Sequence, residues 1–101
     1  MELRERLELC RLKAVYGPLL TPRQRECLER CVEGDLSLSE IADELGIDRQ
    51  SVRTHLVIGE KKLREFERKM GLCRRLDALR AFAEAEGEGG RDFLAKLDEL
   101  F

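Results

Sequence analysis

Tryptophan is missing from the 101-residue chain, tyrosine and histidine occur once each, and phenylalanine occurs four times. So few aromatics, together with few β-branched residues, leave little with which to build strands, and a β-rich fold is excluded. Long apolar runs are missing too. The longest are a few residues, such as Leu56-Val57-Ile58, far from the ~20 residues a bilayer span requires, so membrane insertion is excluded. No charged, apolar, cleavable leader opens the sequence, and a cytoplasmic protein is expected. At this length one domain with a modest core is expected, without a separate catalytic lobe.

Cysteine is present four times, at Cys10, Cys27, Cys31 and Cys73. Two disulfides would suit an exported scaffold, but such scaffolds are loop-rich and carry leaders. Cys27 and Cys31 are four apart and share a helical face with Leu28 and Val32, so they read as small, reduced core residues. Half a metal site is the sharper reading of the same pair. It lacks support, because His55 falls on another helix and no second close pair exists. No metal or cofactor is expected. No nucleophile–base pair or phosphate loop can be assembled either, so the chain is not expected to be an enzyme.

What the sequence has in quantity is charge: 40% of residues are charged, against 43% hydrophobic, and the net charge is −2. The distribution is segmented. Met1 to Asp48 holds 7 basic and 11 acidic residues, Arg49 to Arg75 holds 9 and 3, and Leu76 onward holds 3 and 7. One basic stretch therefore sits between two acidic ones, a polyanion-binding signature that the net charge conceals.

The periodicity is helical almost throughout, and the fold class is expected to be all-α. A first helix, about Glu2 to Val15, places Leu3, Leu7, Cys10 and Ala14 on one apolar seam before Gly17-Pro18 stops it. Thr21-Pro22-Arg23-Gln24 supplies a cap, a first-turn proline and a returning glutamine, so a second helix runs from here to about Glu33. Ser37-Leu38-Ser39-Glu40 is another capping box, opening a third helix that ends near Leu45 at Gly46. Asp48 caps a fourth helix at once, and in it Val52, Leu56, Gly59, Leu63, Phe66 and Met70 form an inward stripe. A further helix is expected from Arg74 to Glu86 and a last one from Arg91 to Phe101. Between them Gly87-Glu88-Gly89-Gly90 reads as a linker: no strand precedes it, no Gly-Lys-Ser/Thr follows, and Glu86 and Glu88 would repel phosphate.

Two helices separated only by Gly46-Ile47-Asp48 make a helix-turn-helix, with Ile41, Leu45, Ile47 and Val52 burying between them and Ala42 permitting close approach. Arg49, Gln50, Arg53 and Thr54 lie off the apolar stripe at the start of the fourth helix, where such a helix enters a major groove. Arg reaches guanine and Gln adenine by bidentate bonds, while Thr meets a phosphate or a thymine methyl. Lys61, Lys62 and Arg64 continue the positive field toward backbone phosphates. A solvated surface laced by Glu60–Arg64, Lys61–Glu65 and Glu65–Lys69 pairs accounts for part of this run, but leaves Arg49 and Arg53 without local acidic partners beyond Asp48. For His55 a packed or surface imidazole outweighs catalysis.

YGPLLTPRQRECLE (16–29), DLSLSEIADELGIDRQSV (35–52) and EKKLREFERKMGL (60–72) together resemble the YlxM family of small bacterial helix-turn-helix proteins. The likeness spans roughly Val15 to Leu72. It implies a fold like region 4 of bacterial sigma factors, and it implies a link, through gene neighbourhood, to the signal recognition particle GTPase and its RNA. Around Arg53-Thr54-His55 the sequence departs from that family; SVRTHL is instead similar to the reading helix of LuxR-type regulators, which shifts the expectation toward DNA.

The expected organisation is one domain: an amino-terminal helix (1–17), a helix-turn-helix core with a long basic fourth helix (18–72) and a carboxy-terminal helical arm (73–101). The expected function is non-enzymatic nucleic-acid binding and regulation, with DNA favoured over RNA. The alternative is a protein-interaction adaptor for the signal recognition particle GTPase or its RNA without sequence-specific DNA binding. A homodimer through the apolar seams of the first and fourth helices is a further expectation.

Overall fold

A computed structural model describes residues 1–100. In chain order it contains α1 (Leu3–Tyr16), a 3-10 turn (Gly17–Leu19), α2 (Pro22–Leu28) running on into a π turn (Glu29–Glu33), α3 (Leu38–Leu45), α4 (Arg49–Met70), α5 (Leu72–Ala85) and α6 (Glu88–Leu100). No strand occurs among the described residues, so the fold is all-α with a helix-turn-helix. Phe101, the expected end of the last helix, lies outside the described residues. The helices gather into two compact units, residues 1–69 and residues 70 onward.

In the first unit both expected capping boxes form. Thr21 Oγ1 accepts from the Gln24 N–H at 3.3 Å while Gln24 Oε1 accepts from the Thr21 N–H at 3.1 Å. Ser37 and Glu40 exchange the same pair of bonds at 3.2 and 3.1 Å. Each box satisfies two amides that a helix start would otherwise leave unpaired. Gly46 ends α3 in the left-handed region at φ +67°, the conformation that costs glycine least, and the Ile47 N–H closes the turn on the Ala42 carbonyl at 3.1 Å. Cys27, Ile41, Ala42 and Val52 form the buried centre, with Cys31, Leu36, Leu38, Leu45, Ile47 and Leu56 packed around it. The sequence pattern named most of this cluster. It did not reveal the π turn, where the Gly34 N–H reaches back five residues to the Glu29 carbonyl at 3.0 Å.

The first helix is rotated from its expected seam. Leu9, Leu12 and Tyr16 are buried, whereas Leu3, Leu7 and Ala14 are exposed and Cys10 is half-buried. The reason is a set of polar attachments that fix which face looks inward. Arg6 Nε donates to the Val32 carbonyl at 2.6 Å, Lys13 Nζ lies 2.7 Å from Glu33 and 3.6 Å from Glu29, and the Tyr16 hydroxyl donates to Glu67. The Tyr16 ring also stands 5.8 Å from Phe66, a tilted aromatic pair. On α4 the expected stripe is correct: Val52, Gly59 and Leu63 are buried and Leu56, Phe66 and Met70 half-buried. Val52, Gly59 and Leu63 are thus already covered by their own chain and unavailable as the centre of a dimer seam.

The second unit is a helical hairpin. Gly87, at φ +72°, reverses the chain between α5 and α6. The expected linker is not one, because Glu88, Gly89 and Gly90 form the first turn of α6. Gly90 is buried against the Ala83 backbone so closely that a Cβ would overlap the Ala83 carbonyl oxygen. Leu97 and Ala83 are buried in the hairpin, and Arg80 pairs with Asp98 at 2.8 Å.

Candidate nucleic-acid interface

The start of α4 is set by Asp48, whose Oδ1 accepts the Ser51 N–H at 2.7 Å. That backbone hydrogen bond holds the Asp48 carboxyl below the usual carboxylate range, so the cap is ionised at neutral pH and complements the positive end of the helix. Val52, completely buried, and half-buried Leu56 and Ile47 fix the helix rotation by packing into the helix-turn-helix core. At about 100° per residue, that rotation sends Gln50, Arg53, Thr54, Val57 and Lys61 outward within one arc of roughly 100°, with Arg49 about 40° beyond Arg53.

Arg49, Gln50, Arg53, Thr54 and Lys61 are all exposed. Among the described residues, neither Arg49 nor Arg53 pairs with a carboxylate, and Lys61 makes no pair with Glu65, because Glu65 is engaged by Arg68 at 2.6 Å and Lys69 at 3.6 Å. The Thr54 hydroxyl donates to the Gln50 carbonyl at 3.0 Å, which holds its rotamer while leaving the oxygen's acceptor capacity free. Two predicted phosphate contacts are placed differently. Lys62 Nζ turns back to Gln24 Oε1 at 3.4 Å, and Arg64 is held by Glu60 at 3.2 Å and Glu8 at 3.1 Å. The structure therefore brings five of the seven predicted residues to one open face and ties the other two to the protein itself.

One outward residue was missed. Val57, 58% exposed, sits between Arg53 and Lys61 on the same face, and its neighbour Ile58 is 40% exposed. The signal was available, since neither residue belongs to the inward stripe and an apolar side chain on a charged helical face has no solvent role. His55 is half-buried and flanks the inward stripe of α4, on the side away from this face.

Among the described residues no group of three His, Cys, Asp or Glu side chains is arranged to hold a metal ion. All four cysteines are free thiols, and burial pushes the Cys27 and Cys31 thiols up, so both stay protonated in the core. No helix is long and apolar enough to cross a membrane among the described residues.

Residues 3–85 match the family model described as "Putative helix-turn-helix protein, YlxM / p13 like". The chain is 42% identical over 74 residues to a UPF0122 protein of Symbiobacterium thermophilum, covering 69% of each chain. It is 47% identical over 60 residues to a UPF0122 protein of Thermoanaerobacter sp., covering 59% of this chain and 51% of the other. Against a UPF0122 protein of Limosilactobacillus fermentum it is 37% identical over 78 residues, covering 77% of this chain and 69% of the other. No solved structure matches significantly. The matched region ends with α5, so α6 lies beyond it.

Proposed function

The chain belongs to the UPF0122 family of YlxM/p13-like helix-turn-helix proteins, and from that premise we propose that it is a non-enzymatic regulator that binds nucleic acid through the outward face of α4. One observation carries the proposal: Arg49 and Arg53 stand exposed on the first turns of the helix after the tight turn, without a carboxylate of their own. A protein that needed these charges only for solubility could lace them with acids, as it does for Arg64 and Arg68. Leaving two guanidinium groups unpaired beside an amide and a hydroxyl supplies the donors and acceptors that base edges demand. DNA is favoured over RNA, because a major groove admits an α-helix and the deep, narrow groove of A-form RNA does not.

In this reading Arg49, Gln50, Arg53 and Thr54 meet base edges, Val57 offers apolar contact to a thymine methyl, and Lys61 meets a phosphate. Lys62, held only by the neutral Gln24 amide, contributes through the field, while Arg64, answered by Glu60 and Glu8, contributes little. The test is fluorescence anisotropy at fixed low salt. Arg53→Ala should cost about 1–3 kcal/mol and relax base preference, and Lys61→Ala should lower the salt slope by about one unit. Arg64→Ala should bind nearly as wild type does. Equal binding by wild type and the Arg49/Arg53 double alanine variant removes the proposal.

Exposure of Val57 and Ile58 favours a second reading, in which the helix holds a protein as well. Here the family's link to the signal recognition particle supplies the partner: its GTPase on the apolar pair and its RNA phosphates on the arginines. Retention of purified GTPase or RNA by the immobilised chain, lost in a Val57→Asp/Ile58→Asp variant, supports this reading; no retention at modest salt excludes it.

A further inference from the structure

We propose that the α5–α6 hairpin is a self-association surface, and that a second copy of this chain packs on it antiparallel, related by a two-fold axis passing between Leu79 and Phe82. The inference is independent of the nucleic-acid reading and rests on the hairpin alone. Its open side is an apolar groove of about 440 Å³, lined by Leu79, Phe82, Ala83, Glu86 and Phe93 among others. Phe82 is 66% exposed, Leu79 46% and Phe93 45%, so three large apolar side chains of this unit stand in water at one groove. A single such residue needs no explanation, but three at one groove mark a contact surface.

The identity of the occupant follows from the order of residues along the groove edge. Arg75, Leu79 and Phe82 on α5 and Glu86, the residue that caps its end, are spaced by four, three and four, and fall within an arc of roughly 60°. That row has a palindromic chemistry: a cation, two apolar residues, then an anion, evenly placed about its centre. Antiparallel apposition of two copies sets Leu79 of each on Phe82 of the other. The same step sets Arg75 of each against Glu86 of the other, at both ends of the contact. Within the described residues neither the Arg75 nor the Glu86 side chain has an ion-pair partner, although nearby Arg80 and Lys96 do. Two copies thus satisfy both charges and cover both apolar pairs at once, as an isologous interface requires. A basic helix from another protein would answer Glu86 but repel Arg75.

The test is sedimentation velocity of the full chain from about 1 to 100 μM, a range that resolves micromolar dissociation constants. A species of twice the 11.7 kDa chain mass should appear as concentration rises. Phe82→Glu should weaken it by about 100-fold, and Arg75→Glu or Glu86→Arg alone by roughly tenfold, since each places like charges together twice per dimer. All three positions are exposed, so circular dichroism should show unchanged helix content. The Arg75→Glu/Glu86→Arg double variant keeps the wild-type net charge and should restore the dimer. A monomer at every concentration overturns the proposal, as does a dimer indifferent to Phe82→Glu. Single reversals that the double variant does not repair overturn the antiparallel register.

Discussion

Replacing Gly90 with alanine is the sharpest test of the packing in the carboxy-terminal hairpin, because sequence and structure predict opposite signs. In a linker, or in a first helical turn with room to spare, Gly→Ala stabilises by about 0.4–1 kcal/mol by restricting the unfolded chain. Gly89, with nothing within 4 Å of an added Cβ, should behave in that way. At Gly90 the added carbon would overlap the Ala83 carbonyl oxygen and stand 2.5 Å from its carbonyl carbon. The oxygen is the nearer atom, and a carbon essentially never stands within about 3.0 Å of such a neighbour, so the two backbones must part by at least about 1.5 Å. Both partners are backbone and no rotamer change relieves the clash. Overpacking of this kind costs about 2–3 kcal/mol, and parting the helices also loosens Ala83 and Leu97, which the hairpin buries. Thermal unfolding followed by circular dichroism, with hydrogen exchange of the α6 amides, should therefore rank Gly89→Ala above wild type and Gly90→Ala well below it. A Gly90→Ala protein melting at or above wild type would refute the close approach of α5 and α6.

Two further outcomes follow from other parts of the molecule. Ile41, fully buried at the helix-turn-helix centre, should cost about 2–5 kcal/mol when truncated to alanine, read as a lower denaturant midpoint at unchanged slope; a loss below about 1 kcal/mol would mean the core is not where the structure puts it. Glu65 is held at about 2 by hydrogen bonds from Arg68, and Asp48 is lowered by the Ser51 N–H. Both folded values lie below the unfolded ones, so their stabilisation is complete above the ordinary carboxylate range near ~4 and disappears as pH falls through the folded values. The melting temperature should accordingly drop more steeply with acidification in wild type than in Arg68→Ala, and parallel curves would contradict the pairing.

How much of this could be read without coordinates varied with the distance over which the deciding interaction acts. The caps at Thr21, Ser37 and Asp48 and the turn at Gly46 are local chemistry, completed within three or four residues, and each stands where the sequence placed it. The face of α1 is not local. Leu3-Leu7-Cys10-Ala14 and Leu9-Leu12-Tyr16 have the same helical spacing, and the choice between them is made by Val32, Glu33 and Glu67, which lie far along the chain. The π turn adds a wider loop of backbone without changing residue type, and so leaves no compositional trace. At the interface the same division holds. Arg49 and Arg53 lack acids at helical spacing, which the sequence displays, while the capture of Arg64 by Glu8 spans 56 residues and could not be seen in it.

The attachment of α1 bears on how the long helix transmits force. With 22 residues α4 extends about 33 Å, and a cantilever of that length anchored only at its root would flex. Tyr16, through Glu67 and Phe66, and Glu8, through Arg64, splint its far half. The far half of the rod is thereby braced from outside as well as by its own turns, and Arg53 and Glu67 stand at two places along one supported length.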